Sequence, residues 1–225
     1  MNNPQKIIVA LDGHSSCGKS TMAKWLAQHV GYIYVDTGAL YRCMALYFIR
    51  HGIKASDSDK ISEAVSEINV SLNYIDKAQH VYLNGEDVSG MIRTEEVSAL
   101  TSAIAVYPAV RERLLDTQRN IAAENDVIMD GRDIGTNVLP DADLKIYLTA
   151  SIESRAMRRY KELAAKGEDV NHEKIRDEIA KRDERDKNRK TAPLRRADDA
   201  VFIDTSDMSI DEVVSCIYSL AVAKS

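Results

Sequence analysis

A glycine-rich loop near the start of the chain constrains the fold more than any other stretch. Residues Gly13 to Ser20 are GHSSCGKS, which fits the pattern G-x-x-x-x-G-K-[ST]. The loop follows a short apolar, β-branched run, Lys6 to Asp12, and precedes apolar residues at helical spacing. The backbone N–H groups of such a loop, with the N-terminus of the next helix, form a phosphate site. We therefore expect it to bind a nucleoside triphosphate; the alternative is a flexible turn before an ordinary helix.

Single residues of this loop have distinct expected roles. The Lys19 ammonium should reach the β- and γ-phosphates, and the Ser20 hydroxyl should ligate Mg²⁺. Asp130, which closes a later apolar run, could hold a magnesium-bound water. Cys17 could be a reactive thiol, although a small residue packed under backbone is the commoner meaning. The expected ATP-binding residues are Gly13, His14, Ser15, Ser16, Cys17, Gly18, Lys19, Ser20, Thr21 and Arg155.

Short apolar runs alternate with helical patterns along most of the chain, which predicts βαβ units, a parallel sheet and a three-layer α/β sandwich. Thr37 is the expected N-cap of the second helix. Between residues 54 and 106 a polar helix precedes two short alternating runs and a turn, LNGED, so we expect a small α/β insert with its own sheet. The further predicted strands are Tyr32 to Val35, Val127 to Asp130, Lys145 to Leu148 and Val201 to Asp204.

Charge and cysteine usage exclude several classes of protein. The net charge of −5 gives no global attraction to nucleic acid or to an anionic membrane. No run approaches the ~18 apolar residues of a membrane span, so we expect a cytoplasmic protein without a membrane partner. We also expect that it binds no nucleic acid and that it is a monomer. The three cysteines are too few and too scattered for a disulfide framework or a zinc site.

Three further stretches are candidates for a second substrate. In DTGALYR, from Asp36 to Arg42, a helix N-terminus with an arginine suits a phosphate. In MDGRDIGT, Arg132 and Asp133 follow a strand and fall at the carboxyl edge of the sheet. The alternatives are a capped helix and a polar turn.

The third stretch is the charged run from Ile179 to Lys190. Arg182, Asp186 and Arg189 share one face of a predicted helix, and this stripe could bind an anionic ligand with hydroxyl groups; a solvated helix face is the alternative. Upstream, a cationic patch could neutralise the transferring phosphoryl group. Its members are Arg155, Arg158 and Arg159.

At these residues the chain resembles the bacterial cytidylate kinases of the nucleoside monophosphate kinase group. The stretches DGHSSCGKST, DTGALYR, LNGEDVSGMIRTEEV, VIMDGRDIGT, RDERDKNR and APLRRADDAVFIDTS come in family order, and GEDVSG with IRT is the most specific. The resemblance implies a single kinase domain over residues 1–225, with a three-layer P-loop NTPase fold and a parallel five-stranded sheet. It also implies that residues 54–106 form an inserted NMP-binding subdomain and residues 151–190 an arginine-rich lid.

The implied reaction is transfer of the γ-phosphoryl group of ATP to CMP or dCMP, with Mg²⁺ as cofactor and no general base. The alternatives are a kinase of another acceptor, such as UMP or shikimate, and a non-enzymatic nucleotide-binding switch. By the resemblance, Thr37, Tyr41, Arg42 and Arg132 surround the monophosphate, Ser102, Arg119, Asp133 and Arg189 face the cytosine, and Arg182 and Asp186 face the sugar. The expected catalytic residues are Lys19, Arg132, Arg158 and Arg159.

Overall fold

A computed structural model describes residues 7–76 and 78–223 of the chain. The strands are β1 (Ile8–Gly13), β2 (Ile33–Asp36), β3 (Val70–Ile75), β4 (Ala78–Leu83), β5 (Glu86–Asp87), β6 (Val127–Gly131), β7 (Leu144–Thr149) and β8 (Val201–Asp204). The α-helices are α1 (Lys19–Val30), α2 (Thr37–Arg50), α3 (Ser58–Ala64), α4 (Glu95–Ile104), α5 (Pro108–Glu124), α6 (Ile152–Ala165), α7 (His172–Asn188) and α8 (Ile210–Val222). A 3₁₀ turn covers Val65–Glu67, and a π-helical turn covers Ile134–Val138.

The central sheet has five strands in the order β2-β6-β1-β7-β8, and all its pairs are parallel. Successive residues of β1 alternate between its two faces. Val9 and Leu11 pack in the cluster that contains residues of α1 and α8. Ala10 packs on the opposite face, with Ala122 of α5. Helices therefore cover both faces, which confirms the predicted three-layer fold with a parallel five-stranded sheet.

The predicted α/β insert has its own three-stranded antiparallel sheet, in the order β3-β4-β5. Its apolar face packs on α2, since Val81 and Leu83 of β4 belong to the same buried cluster as Phe48. Ile104 of α4 and Leu114 of α5 complete this cluster. The insert is thus anchored to the helix that follows β2, beside the carboxyl edge of the central sheet.

One local prediction is corrected by the structure. The N-cap of α2 is Asp36, whose carboxylate accepts a hydrogen bond from the Ala39 amide at 3.0 Å, and Thr37 is the first helical residue. A carboxylate is a stronger cap than a threonine hydroxyl, and the Thr37 hydroxyl is used elsewhere. Arg189 is the C-cap of α7: its amide still donates to the Arg185 carbonyl at 3.1 Å, and the chain leaves the helix only after it (ψ 139°), so the predicted stripe ends at the last helical bond.

Within residues 7–76 and 78–223, no helix is both long and apolar enough to cross a membrane. Cys17, Cys43 and Cys216 are all free thiols.

Candidate functional site

The chemistry-bearing residues meet at the carboxyl edge of the central sheet, where β1, β2 and β6 end side by side. Open parallel sheets bind their ligands at this edge. Thr37, directly after β2, donates a hydrogen bond from its hydroxyl to the Asp130 carbonyl at 2.7 Å. This bond ties the start of α2 to the end of β6, so the DTGALYR and MDGRDIGT stretches share one wall of the cleft.

The loop between β1 and α1 packs tightly against β7 at its first residue, Gly13. A Cβ atom on Gly13 would lie 1.9 Å from the Leu148 carbonyl oxygen, and the residue has φ +148°, so only glycine fits there. Lys19 is buried, and its ammonium donates to the His14 carbonyl at 2.6 Å. Burial, and next the charge of Arg132, lower the pKa of Lys19. The lysine therefore lies against the loop with a cationic neighbour that follows β6.

His14 is a buried loop residue whose side chain packs edge-on against Tyr147. Burial lowers its pKa to about 4, which keeps the imidazole neutral at pH 7. Cys17 is buried as well, with its Sγ 3.7 Å from the Lys19 Nζ atom. These contacts agree with the interpretation of Cys17 as a small residue packed under backbone.

Oxygen atoms that suit Mg²⁺ stand next to the lysine. The Ser20 hydroxyl donates to the Asp130 carboxylate at 2.7 Å, and Asp36 is the cross-strand neighbour of Asp130. Burial, and next the charge of Asp36, raise the pKa of Asp130 to about 6. A nearby cation would relieve this repulsion. The described part of the chain contains no cluster of three or more acidic, histidine or cysteine ligands, and Mg²⁺ commonly uses one or two protein groups with substrate phosphates and water.

A buried ionic cluster is centred on Asp133. One carboxylate oxygen accepts hydrogen bonds from Arg111 Nη2 and from Asn137 Nδ2, the latter at 3.0 Å. The other oxygen accepts from Arg189 Nη2 at 2.9 Å. The guanidinium of Arg111 also lies 5.7 Å from the centre of the Tyr41 ring, which places Tyr41 beside this cluster. Asp133 and Arg189, both predicted to face the base, are thus brought together.

The structure does not bring Arg119 to this cluster. Arg119 donates instead to the carbonyl oxygens of Val138, at 3.0 Å, and Asn137, at 3.1 Å. Arg111, two turns earlier on α5, contacts Asp133 instead. Ser102 accepts a hydrogen bond at 2.7 Å from Arg185, a residue of α7 that was not among the predicted site residues.

A second set of charges lies between β6 and α7. Arg132 Nε donates to the Asp186 carboxylate at 3.0 Å. Burial alone would raise the pKa of Asp186, but Arg132 and Arg182 hold it below its ordinary value. Burial, and next the charge of Arg132, lower the pKa of Arg182 to about 10. Arg42 forms an ion pair of 2.7 Å with Asp36, so both arginines predicted to bind the monophosphate are held by a carboxylate.

Several buried polar atoms in the described residues lack a hydrogen-bond partner, and three of them belong to arginines. The Nε atoms of Arg42, Arg111 and Arg182 are among them, with His14 Nδ1, the Tyr34 hydroxyl and Asp183 Oδ1. His172 Nε2, near the start of α7, lies outside the cleft. Buried guanidinium N–H groups without an acceptor are suited to an anionic ligand, because leaving them unpaired costs ~1–3 kcal/mol each.

Two of the three predicted arginines of α6 contact the phosphate loop. Arg155 donates to the Ser15 carbonyl at 3.3 Å and forms an ion pair of 2.7 Å with Asp183 of α7. Arg158 donates to the Thr205 carbonyl at 2.6 Å and approaches the Cys17 carbonyl at 3.5 Å.

Arg159 does not contact the loop. It pairs at 3.0 Å with Glu162, on its own helix. The structure therefore supports a place at the donor side for Arg155 and Arg158, and leaves the catalytic role of Arg159 a prediction.

Known proteins similar to this chain cover nearly all of it. The profile of the family described as cytidylate kinase matches residues 9–223. A cytidylate kinase of Caldicellulosiruptor bescii is 47% identical over 216 residues, covering 96% of this chain and 96% of that protein. A cytidylate kinase of Bacillus subtilis is 43% identical over 221 residues, covering 98% and 99%. In the crystal structure of an uncharacterised protein from Eubacterium ventriosum, the fold is similar, with a TM-score of 0.53 at 12% identity over 97% of this chain and 99% of that one.

Proposed function

Because this chain belongs to the cytidylate kinase family, we propose that it transfers the γ-phosphoryl group of ATP to CMP or dCMP, giving ADP and CDP or dCDP. Asp130 links the donor side of the cleft to the acceptor side. Its carboxylate accepts a hydrogen bond from the Ser20 hydroxyl on the donor side, and its backbone carbonyl accepts one from the Thr37 hydroxyl on the acceptor side. The phosphate loop and the acceptor residues are therefore joined through a single strand end.

On the donor side, the loop amides and Lys19 bind the triphosphate. Lys19 is held beside the loop by its bond to the His14 carbonyl, from which its ammonium can turn to the β- and γ-phosphates. Ser20 and Asp130 would hold Mg²⁺, which when bound neutralises charge on the phosphate oxygens. Arg155 and Arg158 add positive charge above the loop.

On the acceptor side, Arg42 and Arg132 bind the monophosphate, with Thr37 and Tyr41 at its border. A nucleoside monophosphate has an oxygen that is already ionised at pH 7, so the reaction needs alignment and charge neutralisation rather than a base. Arg182 and Asp186 face the sugar, and their positions on α7, the arginine half-buried and the carboxylate buried, suit a ligand with both hydroxyl groups and charge.

The cytosine is bound by Asp133 and Arg189 with Ser102, and Arg111 takes the role that the resemblance gave to Arg119. The support for this change is that Arg111 bonds to Asp133, whereas Arg119 bonds to backbone carbonyls. Cytosine presents an amine where uracil presents a carbonyl, so an acceptor at that edge discriminates between them.

Two parts of the chain would close over the substrates. Residues 151–190 form the lid, because α6 and α7 contribute arginines to both sides of the cleft. Residues 54–106 form the acceptor subdomain, anchored on α2. Closure excludes water, which would otherwise hydrolyse ATP. The monomeric state and the cytoplasmic location stay predictions.

A coupled ADP-release assay across CMP, dCMP, UMP and shikimate tests this function. We expect rapid release with CMP and dCMP, and slow release with the other two. Lys19→Ala should lower kcat by ~100-fold or more, because it removes a cation from developing charge. Lys24→Ala is the matched control, since Lys24 is an exposed lysine of the same helix whose ammonium lies 5.7 Å from the Tyr34 ring. No release with any cytidine nucleotide, or full activity of Lys19→Ala, would overturn the proposal.

A further inference from the structure

Asp12 lies on β1 directly before Gly13, the first residue of the phosphate loop, yet its carboxylate is hydrogen-bonded to a different segment. One oxygen accepts a hydrogen bond from the Ile134 amide at 2.8 Å, and the other accepts from the Gly135 amide at 2.8 Å. The Asp12 side chain is buried, with only 5% of the residue exposed. Both oxygens of the Asp12 carboxylate therefore bond to a segment that lies far from it in the sequence.

The two amides are the first donors of the π-helical turn, where a helix has no acceptors of its own. Later amides of the turn bond within it, for example Asn137 to the Asp133 carbonyl at 2.9 Å. The carboxylate of Asp12 thus caps the turn from another strand. A negative group is well suited to the start of a helical turn, where the backbone dipoles are positive.

The residues directly before the capped amides are Arg132 and Asp133, which carry the acceptor-side contacts. Asp133 has φ −146° and ψ 30°, a backbone conformation that belongs to neither the strand nor the turn. Its side-chain bonds hold the tip of the carboxylate, but they do not set the peptide groups that aim it. The bond from the Ile134 amide to Asp12 holds the Asp133–Ile134 peptide group, and the bond from the Gly135 amide holds the next peptide group along the chain. Space is also limited, because a Cβ atom on Gly135 would lie 3.1 Å from Lys145 Cδ.

We propose that Asp12 is a positioning residue, which fixes Arg132 and Asp133 toward the acceptor by holding the Ile134 and Gly135 amides. The inference rests on the proposed function, because it assumes that Arg132 and Asp133 bind the monophosphate and the base. It also links the two halves of the site, since the strand that positions the acceptor residues is the strand that leads into the phosphate loop. Asp12 itself touches neither substrate.

The test is Asp12→Asn, which keeps the shape of the side chain. Its amide oxygen can accept one of the two N–H groups, but its NH₂ group opposes the other, so the turn must shift. We expect the Kd and KM for CMP to rise ~10-fold or more, which is the usual effect of leaving one buried polar group unpaired. The Kd for ATP, measured without CMP, should change less than about 2-fold.

Asp143→Asn is the matched control. Asp143 accepts a hydrogen bond at 2.8 Å from the Ile8 amide, which is the same kind of contact at the opposite edge of the sheet. This variant should lose some thermal stability and keep the Kd for both nucleotides. Unchanged CMP binding in Asp12→Asn, or equal weakening of CMP and ATP, would overturn the positioning role.

A measurement on the unmodified protein covers the case in which Asp12→Asn does not fold. Amide hydrogen exchange at Ile134 and Gly135 should slow on addition of CMP and much less on addition of ATP, because the acceptor side is the side they support. Exchange rates at these two amides that do not change on addition of CMP would contradict the inference. A wild-type chain that neither binds nor phosphorylates CMP would instead refute the proposed function, so the two failures are distinguishable.

Discussion

The surroundings of Asp133 predict how this kinase chooses between CMP and UMP. A carboxylate has about four lone-pair positions for hydrogen bonds. Three of them are used by Arg111, Asn137 and Arg189. The remaining position can accept the exocyclic amine of cytosine, whereas the carbonyl of uracil would face a lone pair there.

The expected magnitude follows from removing that single interaction in Asp133→Asn. A buried polar group left without its partner costs ~1–3 kcal/mol, which is roughly 5- to 150-fold in rate. The variant also weakens the ion pairs with Arg111 and Arg189, but that weakening affects both nucleotides alike. The ratio of kcat/KM for CMP to kcat/KM for UMP therefore isolates the bond to the amine, and it should fall about tenfold.

The assay measures kcat/KM for both monophosphates in wild type and variant, at equal magnesium and saturating ATP. Asp183→Asn is the control, because Asp183 is likewise buried and paired with an arginine, Arg155, but on the donor side. It should slow both reactions and leave their ratio unchanged. If the ratio also stays the same in Asp133→Asn, then Asp133 orients its arginines and does not read the amine.

Two further predictions concern neighbouring residues. Arg111→Lys should raise the KM for CMP ~10-fold, because it breaks the ion pair with Asp133. Arg119→Lys should change this KM less than about 2-fold, because Arg119 bonds only to backbone carbonyls. Comparable effects of the two variants would restore Arg119 as the base-facing residue. Burial raises the pKa of Asp12 from 3.8 to about 6, so the folded state binds this proton more tightly than the unfolded state does. The resulting stabilisation of the folded state is present at pH values below about 4 and is lost as the pH rises through about 6. Relative to Asp12→Asn, the wild type should therefore lose about 2 kcal/mol of unfolding free energy between about pH 4 and pH 7 in urea titrations, and a difference that is constant with pH would contradict this.

The sequence was sufficient for the phosphate loop and the central sheet because both depend on local patterns. The spacing of Gly13, Gly18 and Lys19 is set by the backbone path around a phosphate, and no distant residue is needed to recognise it. Short apolar runs alternating with helices permit few topologies, since parallel strands need crossover connections. The predicted strand at Tyr32 to Val35 differs from β2 by one residue at each end, which is within the normal fraying of such boundaries.

Arg111 was missed although the sequence contained a signal for it. The buried residues of α5 include Arg111, Leu114, Gln118 and Ala122, which follow helical spacing along one face. An arginine inside such a stripe faces the core and needs a buried acid, whereas Arg119 lies just outside the stripe. Helical phase therefore separates the two arginines, even though both belong to the same charged helix.

Asp12 could not have been assigned from the sequence alone. Its position before the loop suggests a role at the triphosphate, and only the packing of the π-helical turn against β1 brings the Ile134 and Gly135 amides to its carboxylate. The same holds for the pairs Arg132 with Asp186 and Arg189 with Asp133, which depend on where α7 crosses the edge of the sheet.

The placement of these pairs explains how an acidic chain builds a site for an anion. The net charge is −5, yet Asp133 contacts two arginines, and Asp36 has Arg42 at 2.7 Å and Arg93 at 3.7 Å. Each of these acids orders two arginines and neutralises the charge of only one, so each cluster keeps a net positive charge beside the cleft. Because Asp186 and Arg189 come from the end of α7 while their partners follow β6, any movement of α7 relative to the central sheet changes these ion pairs directly. If residues 151–190 are the proposed lid, acceptor binding and closure use the same contacts, so variants on α7 should alter CMP binding even where they do not touch the nucleotide.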